Sequence, residues 1–67
     1  MVKVYIERDN KDVELDYENP VSVKVVLKKL NISSESVILV KNGNICLDDE
    51  LVSKDDELKL LSVVSGG

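Results

Sequence analysis

The sequence predicts an α+β domain in which a five-stranded mixed sheet packs on one helix. Three observations predict it. Apolar and polar residues alternate through the first seventeen positions, apolar residues recur at helical spacing from Val23 to Leu30, and alternation returns near the C-terminus. The chain has 67 residues, room for one small domain and no second. A domain of this size buries only about 60% of its unfolded surface, so modest stability is expected.

The elements follow in order. Val2, Val4 and Ile6 alternate with Lys3, Tyr5 and Glu7, as in a half-buried strand. Arg8-Asp9-Asn10-Lys11 is a polar turn, and Val13, Leu15 and Tyr17 then alternate with Asp12, Glu14 and Asp16 to complete a hairpin. Asn19-Pro20 reads as a helix start, with Asn19 as cap and Pro20 at the first helical position, where its missing N–H costs nothing. Val23, Val26, Leu27 and Leu30 form the buried stripe, leaving Lys24, Lys28 and Lys29 in solvent. The valines lower helix propensity, so packing on the sheet must hold this segment. Asn31 is the expected stop.

Ser33 to Ser36 reads as loop. Val37-Ile38-Leu39-Val40 is apolar throughout, the pattern of a strand covered on both faces. Asn42-Gly43 is a strong hairpin signal, because both central residues of that turn need positive φ. Ile45-Cys46-Leu47 is the return strand, Asp48 to Val52 a brief helical turn, and Lys54-Asp55-Asp56 the turn into a final strand from Glu57 to Val64. On that strand Leu58, Leu60 and Val64 share the face toward the helix. Leu61 and Val63 share the opposite face with Lys59 and Glu57, a candidate docking patch for a partner.

Composition excludes several functions. At 43% hydrophobic and 33% charged, the chain is an ordinary globule rather than a disordered segment. There is no His and one Cys, which excludes zinc sites, imidazole acid–base chemistry and Cys-His or Ser-His nucleophiles. An enzyme is not expected. Net charge is −4 and the aromatics are Tyr5 and Tyr17, which argues against direct nucleic-acid binding. With no signal peptide or membrane-length apolar run, the expectation is a cytoplasmic protein with no membrane partner. Cys46, in a short strand, reads as a small apolar filler.

The chain closes with Ser65-Gly66-Gly67 directly after an apolar strand. Two residues without side chains can enter a slot too narrow for any other amino acid and adopt whatever angles it imposes. The expected division is a folded body over residues 1–64 and an extended tail over 65–67.

Three stretches carry a resemblance: Val37 to Gly43, Lys54 to Leu58, and Val63-Val64-Ser65-Gly66-Gly67. In them the chain resembles the ThiS/MoaD family of ubiquitin-like, β-grasp sulfur carriers, which includes small archaeal modifier-like relatives. Length and element order match along the whole chain, and the specific motifs lie in the last dozen residues. Two positions depart from the family pattern. Asp55 stands where relatives often have glycine, and Leu61 stands near the place where many have an aromatic.

The resemblance implies a function. An ATP-dependent activating enzyme of the ubiquitin-activating type would adenylate the carboxylate of Gly67, and a sulfur donor would convert the acyl adenylate into a thiocarboxylate. Gly66 and Ser65 would form the part of the tail that enters the activating enzyme, and Leu61 and Val63 would dock it. The carrier itself would bind no cofactor, ATP being used by its partner. A downstream synthase would take the sulfur for thiamine, molybdopterin or tRNA thiolation. Two other readings stay open: a protein modifier joined through Gly67 to lysines of target proteins, and a non-covalent interaction module.

Overall fold

The computed structural model describes residues 1–63. Its first two strands, β1 (Val2–Ile6) and β2 (Lys11–Leu15), form the expected hairpin, with Val2 opposite Leu15 and Val4 opposite Val13. A 3-10 turn over Glu7–Asp9 closes it, and Asn10 takes the left-handed conformation at φ 48 that asparagine tolerates. Tyr17 falls beyond the end of β2, whereas alternation alone carries the pattern that far.

The helix begins later than the Asn19-Pro20 signal implies. Val21–Ser22 are extended as β3, and α1 runs Val23–Leu30. Ser22 is its cap, with its hydroxyl accepting from the Val25 N–H. Two further N–H groups of the first turn, on Val23 and Lys24, donate to the carbonyls of Glu50 and Asp48 at 2.9 Å. Donors that a helix start leaves without intrahelical partners are thus satisfied by a distant loop. The other end is as expected: Asn31 caps it in the left-handed region at φ 58.

After a 3-10 turn at Ser34–Ser36 come β4 (Val37–Lys41) and β5 (Asn44–Ile45). Asn42 and Gly43 between them have φ of 51 and 86, the two positive values the turn signal demands. The return strand is shorter than expected, since Cys46 and Leu47 lie outside it; the Cys46 N–H still reaches the Leu39 carbonyl. Asp48 to Val52 is not a helical turn. It is a turn followed by β6 (Leu51–Val52), which pairs with β3 in a small second sheet. The last strand, β7 (Glu57–Ser62), ends before Val63, and Val64 lies outside the described residues.

The main sheet has the order β2-β1-β7-β4-β5 and is mixed, because β7 runs parallel to β1 and antiparallel to β4. A parallel central pair needs a crossover, and α1 lies in it. Val23, Val26 and Leu27 of the helix bury against Val2, Val4 and Ile6 of β1, Leu39 of β4 and Leu58 and Leu60 of β7. This core contains no aromatic side chain; Tyr17 packs at its margin. Among the described residues no helix is long and apolar enough to cross a membrane.

Candidate functional site at the tail end of the sheet

β4 is not covered on both faces. Val37 and Leu39 are buried, but Ile38 is 43% exposed and Val40 half-buried. Only one face of the sheet carries a helix, so alternate residues of even a fully apolar run must meet solvent.

Strand register gathers the outward residues. Ile38 lies directly opposite Leu61, and Val40 lies opposite Lys59 on one side and Ile45 on the other. Directly opposed residues share a face and have neighbouring side chains. Ile38, Val40, Ile45 and Leu61 therefore form one apolar corner of the outer face, with Ile45 at 79% exposure its most open member. Val63, 45% exposed, comes two residues after Leu61 in the chain. The rest of that face is charged: Glu14, Lys3 and Glu57 make one row, and Asp12, Tyr5 and Lys59 the next.

Leu61 and Val63 thus lie beside three aliphatic residues that strand-by-strand reading missed. Parity could have found Ile38, since it faces opposite to its neighbours in a strand backed by one helix. Ile45 could not be placed without the register of β5.

The end of β7 is held on both sides. Its Ser62 N–H donates to the Glu7 carboxylate at 2.9 Å, and the Val63 N–H donates to the Ser36 carbonyl at 3.3 Å. β1 and β4 have each run out at this level, so a side chain and a loop carbonyl continue the ladder by one bond apiece. The chain therefore leaves the sheet from a fixed point next to the apolar corner. Ser65, Gly66 and Gly67 lie outside the described residues.

The opposite end of β7 is fixed by Asn42. Its Oδ1 accepts from the Glu57 N–H at 2.9 Å, its Nδ2 donates to Asp56 Oδ1 at 2.9 Å, and its own N–H donates to the Glu57 carbonyl at 2.9 Å. The second oxygen of Asp56 accepts from the Ser53 N–H at 2.7 Å. These bonds, the Asn42 amide first and the Ser53 N–H next, hold the Asp56 carboxyl below its ordinary range. Asp55 in the same turn does not adopt positive φ, so its backbone carries a side chain without strain.

Cys46 is buried, and burial, with the Glu50 charge adding, pushes its thiol pKa up against a smaller opposing effect of Lys41. A thiol so placed is a packing group rather than a nucleophile. Among the described residues no cluster of His, Cys, Asp or Glu is arranged to hold a metal ion.

Comparison with known proteins agrees with this architecture. The solved structure of a thiamine biosynthesis protein (ThiS) from Geobacter metallireducens superposes with a TM-score of 0.67 at 21% identity, covering 97% of this chain and 99% of that one. At that identity the likeness shows the fold, the β-grasp. The family model described as ThiS family matches residues 2–67, which takes in the sheet, the helix and the closing glycines. With nearly its whole length matched, the chain belongs to the ThiS family of sulfur carriers.

Proposed function

We propose that the chain carries sulfur on the carboxylate of Gly67. A carboxylate is a poor electrophile. An activating enzyme would join it to the α-phosphorus of ATP, releasing pyrophosphate and leaving a mixed anhydride with AMP. A sulfide-level sulfur from a donor would then attack the acyl carbon, and AMP would leave with the bonding pair. The product is a Gly67 thiocarboxylate, ready to pass its sulfur to a downstream synthase, in this reading one of thiamine formation. The body supplies no catalytic side chain; it is the substrate that presents the tail.

The observation that carries this reading is the family match running through residue 67. The geometry supports it, because the anchored exit of β7, with Val63 just beyond it, adjoins the apolar corner of Ile38, Val40, Ile45 and Leu61. That corner would seat the activating enzyme while Ser65 and Gly66 thread toward its nucleotide site. The body then spans residues 1–64 and the working tail 65–67.

Intact-mass measurement of the protein from its native cells tests the proposal. The expected result is a fraction heavier by the difference between sulfur and oxygen, lost when Gly67 is deleted. Gly-Gly remnants on lysines of other proteins, with no such mass shift, would instead establish a modifier. Full function without Gly66 and Gly67 would leave a non-covalent module.

A further inference from the structure

The bond that holds Ser62 comes from outside the regular ladder. β1 and β7 run parallel, with Lys3 opposite Glu57 and Ile6 opposite Leu60. The Lys3 N–H donates to the Asp56 carbonyl, so the backbone groups of even-numbered β7 residues face β1. Carried on by the same spacing, the ladder would bring the Ser62 N–H to the Glu7 carbonyl. The chain instead turns at Glu7–Asp9, and that carbonyl closes the turn by accepting from the Asn10 N–H at 3.0 Å. The Glu7 carboxylate stands in for it: Oε1 accepts from the Ser62 N–H at 2.9 Å, 55 residues away in sequence. Its backbone ends the hairpin while its side chain extends the sheet.

On the β4 side the hold is longer. The Val63 N–H donates to the Ser36 carbonyl at 3.3 Å, and the Ser36 N–H and hydroxyl both turn back to the Ser33 carbonyl. Glu7 therefore makes the shorter of the two contacts at the exit, with an ionised acceptor, the stronger kind. The residue is exposed, so packing does not account for it. Among the described residues Glu7 is in no ion pair, and its neighbour Arg8 pairs with Asp9 at 3.6 Å.

We infer that Glu7 is a positioning residue for the chemistry at Gly67, its carboxylate fixing the point where the chain leaves the body. The inference rests on the carrier reading above. Without that acceptor Ser62 comes away from β1, and the segment that bears Gly67 gains freedom at its root. The Gly67 carboxylate is then spread over a larger volume at the nucleotide site, and fewer bound complexes hold it in reacting geometry. The apolar corner is untouched, so binding persists while turnover falls.

Glu7→Ala and Glu7→Gln test this, the second keeping an oxygen that can accept. In the free protein, the Ser62 amide of the alanine variant should exchange about two- to tenfold faster, the loss of one hydrogen bond. Val4 and Leu60 amides should keep parental rates, which reports an intact sheet. Adenylation is then read by ATP–pyrophosphate exchange with the activating enzyme from the native cells. In the alanine variant kcat should fall by a factor of about two to ten, with KM within about twofold of the parent. Glu7→Gln should restore both the Ser62 exchange rate and kcat. An unchanged Ser62 rate, faster exchange at Val4 and Leu60 as well, a parental kcat, a loss carried by KM, or no rescue by glutamine would each overturn the inference. All of these leave the carrier reading standing. A parent chain that is never adenylated would end both.

Discussion

The five-stranded sheet ends in β2 on one side and β5 on the other, and the two ends meet solvent differently. β2 is five residues long, carries Lys11, Asp12 and Glu14, and lies beside a groove whose charged lining is both acidic, at Glu14 and Asp16, and basic, at Lys28 and Lys29. β5 is two residues long and places an open Ile45 next to Val40 and Ile38 on the outer face. One end presents backbone flanked by charge; the other presents aliphatic surface with almost no free backbone. The contrast follows from strand length: a five-residue edge strand leaves a row of outward main-chain groups, whereas a two-residue one leaves almost none.

The largest expected effect lies in the strand that both ends rely on. Leu60 is fully buried in β7, and Leu60→Ala should destabilise the fold by about 2–5 kcal/mol, measured by urea unfolding. The truncation should loosen both ends together, so selective loss at one end would show that they unfold separately. Next comes function. Leu61→Glu should slow adenylation by an activating enzyme about tenfold or more while thermal unfolding stays close to the parent. Glu14→Lys at the other end should leave adenylation unchanged. Equal losses from both substitutions would erase the distinction between the two ends.

A smaller effect concerns the Asn42 junction. Asn42→Ala removes two side-chain hydrogen bonds and a residue suited to positive φ, which should cost about 1–3 kcal/mol in urea unfolding. The β5 end should loosen first, seen as faster amide exchange at Lys41 and Asn44 with β2 unaffected. The smallest effect is in pH. The Asp56 pKa is lowered in the folded state, so its contribution is complete above the ordinary value of 3.8. It is lost as pH falls from there through the folded value. Parent and Asp56→Asn chains should therefore differ more in unfolding temperature at pH 6 than at pH 2.5. A constant difference would show that the Asn42 and Ser53 bonds do not depend on the charge.

Much of this architecture was legible in the order of residues. Period-two alternation located β1, β2 and β7, helical spacing located the buried stripe of α1, and Asn42-Gly43 located its turn. What escaped was settled by distant partners. Pro20 and Asn19 advertise a helix start, but the backbone of Val21–Ser22 gains more by pairing with Leu51–Val52, and Ser22 takes the cap. The same pairing makes a strand of a segment whose acids resemble the first turn of a helix. Leu61 and Val63 were visible as outward residues, and parity within β4 could have added Ile38 and Val40. Ile45 depends on register, which no local pattern encodes for a two-residue strand. The groove beside β2 needed the placement of Tyr17 and Val25 on separate elements.

The two bonds that fasten Ser62 and Val63 have a metric consequence. Because the departure point is set, any four residues beyond Val63 can reach at most roughly 13–14 Å. In the proposed reading, the nucleotide site of the activating enzyme lies inside that radius of its seat on the body. Each further residue extends the reach by about 3.5 Å, so in that reading the spacing between Val63 and Gly67 is itself a determinant of which enzyme can work there.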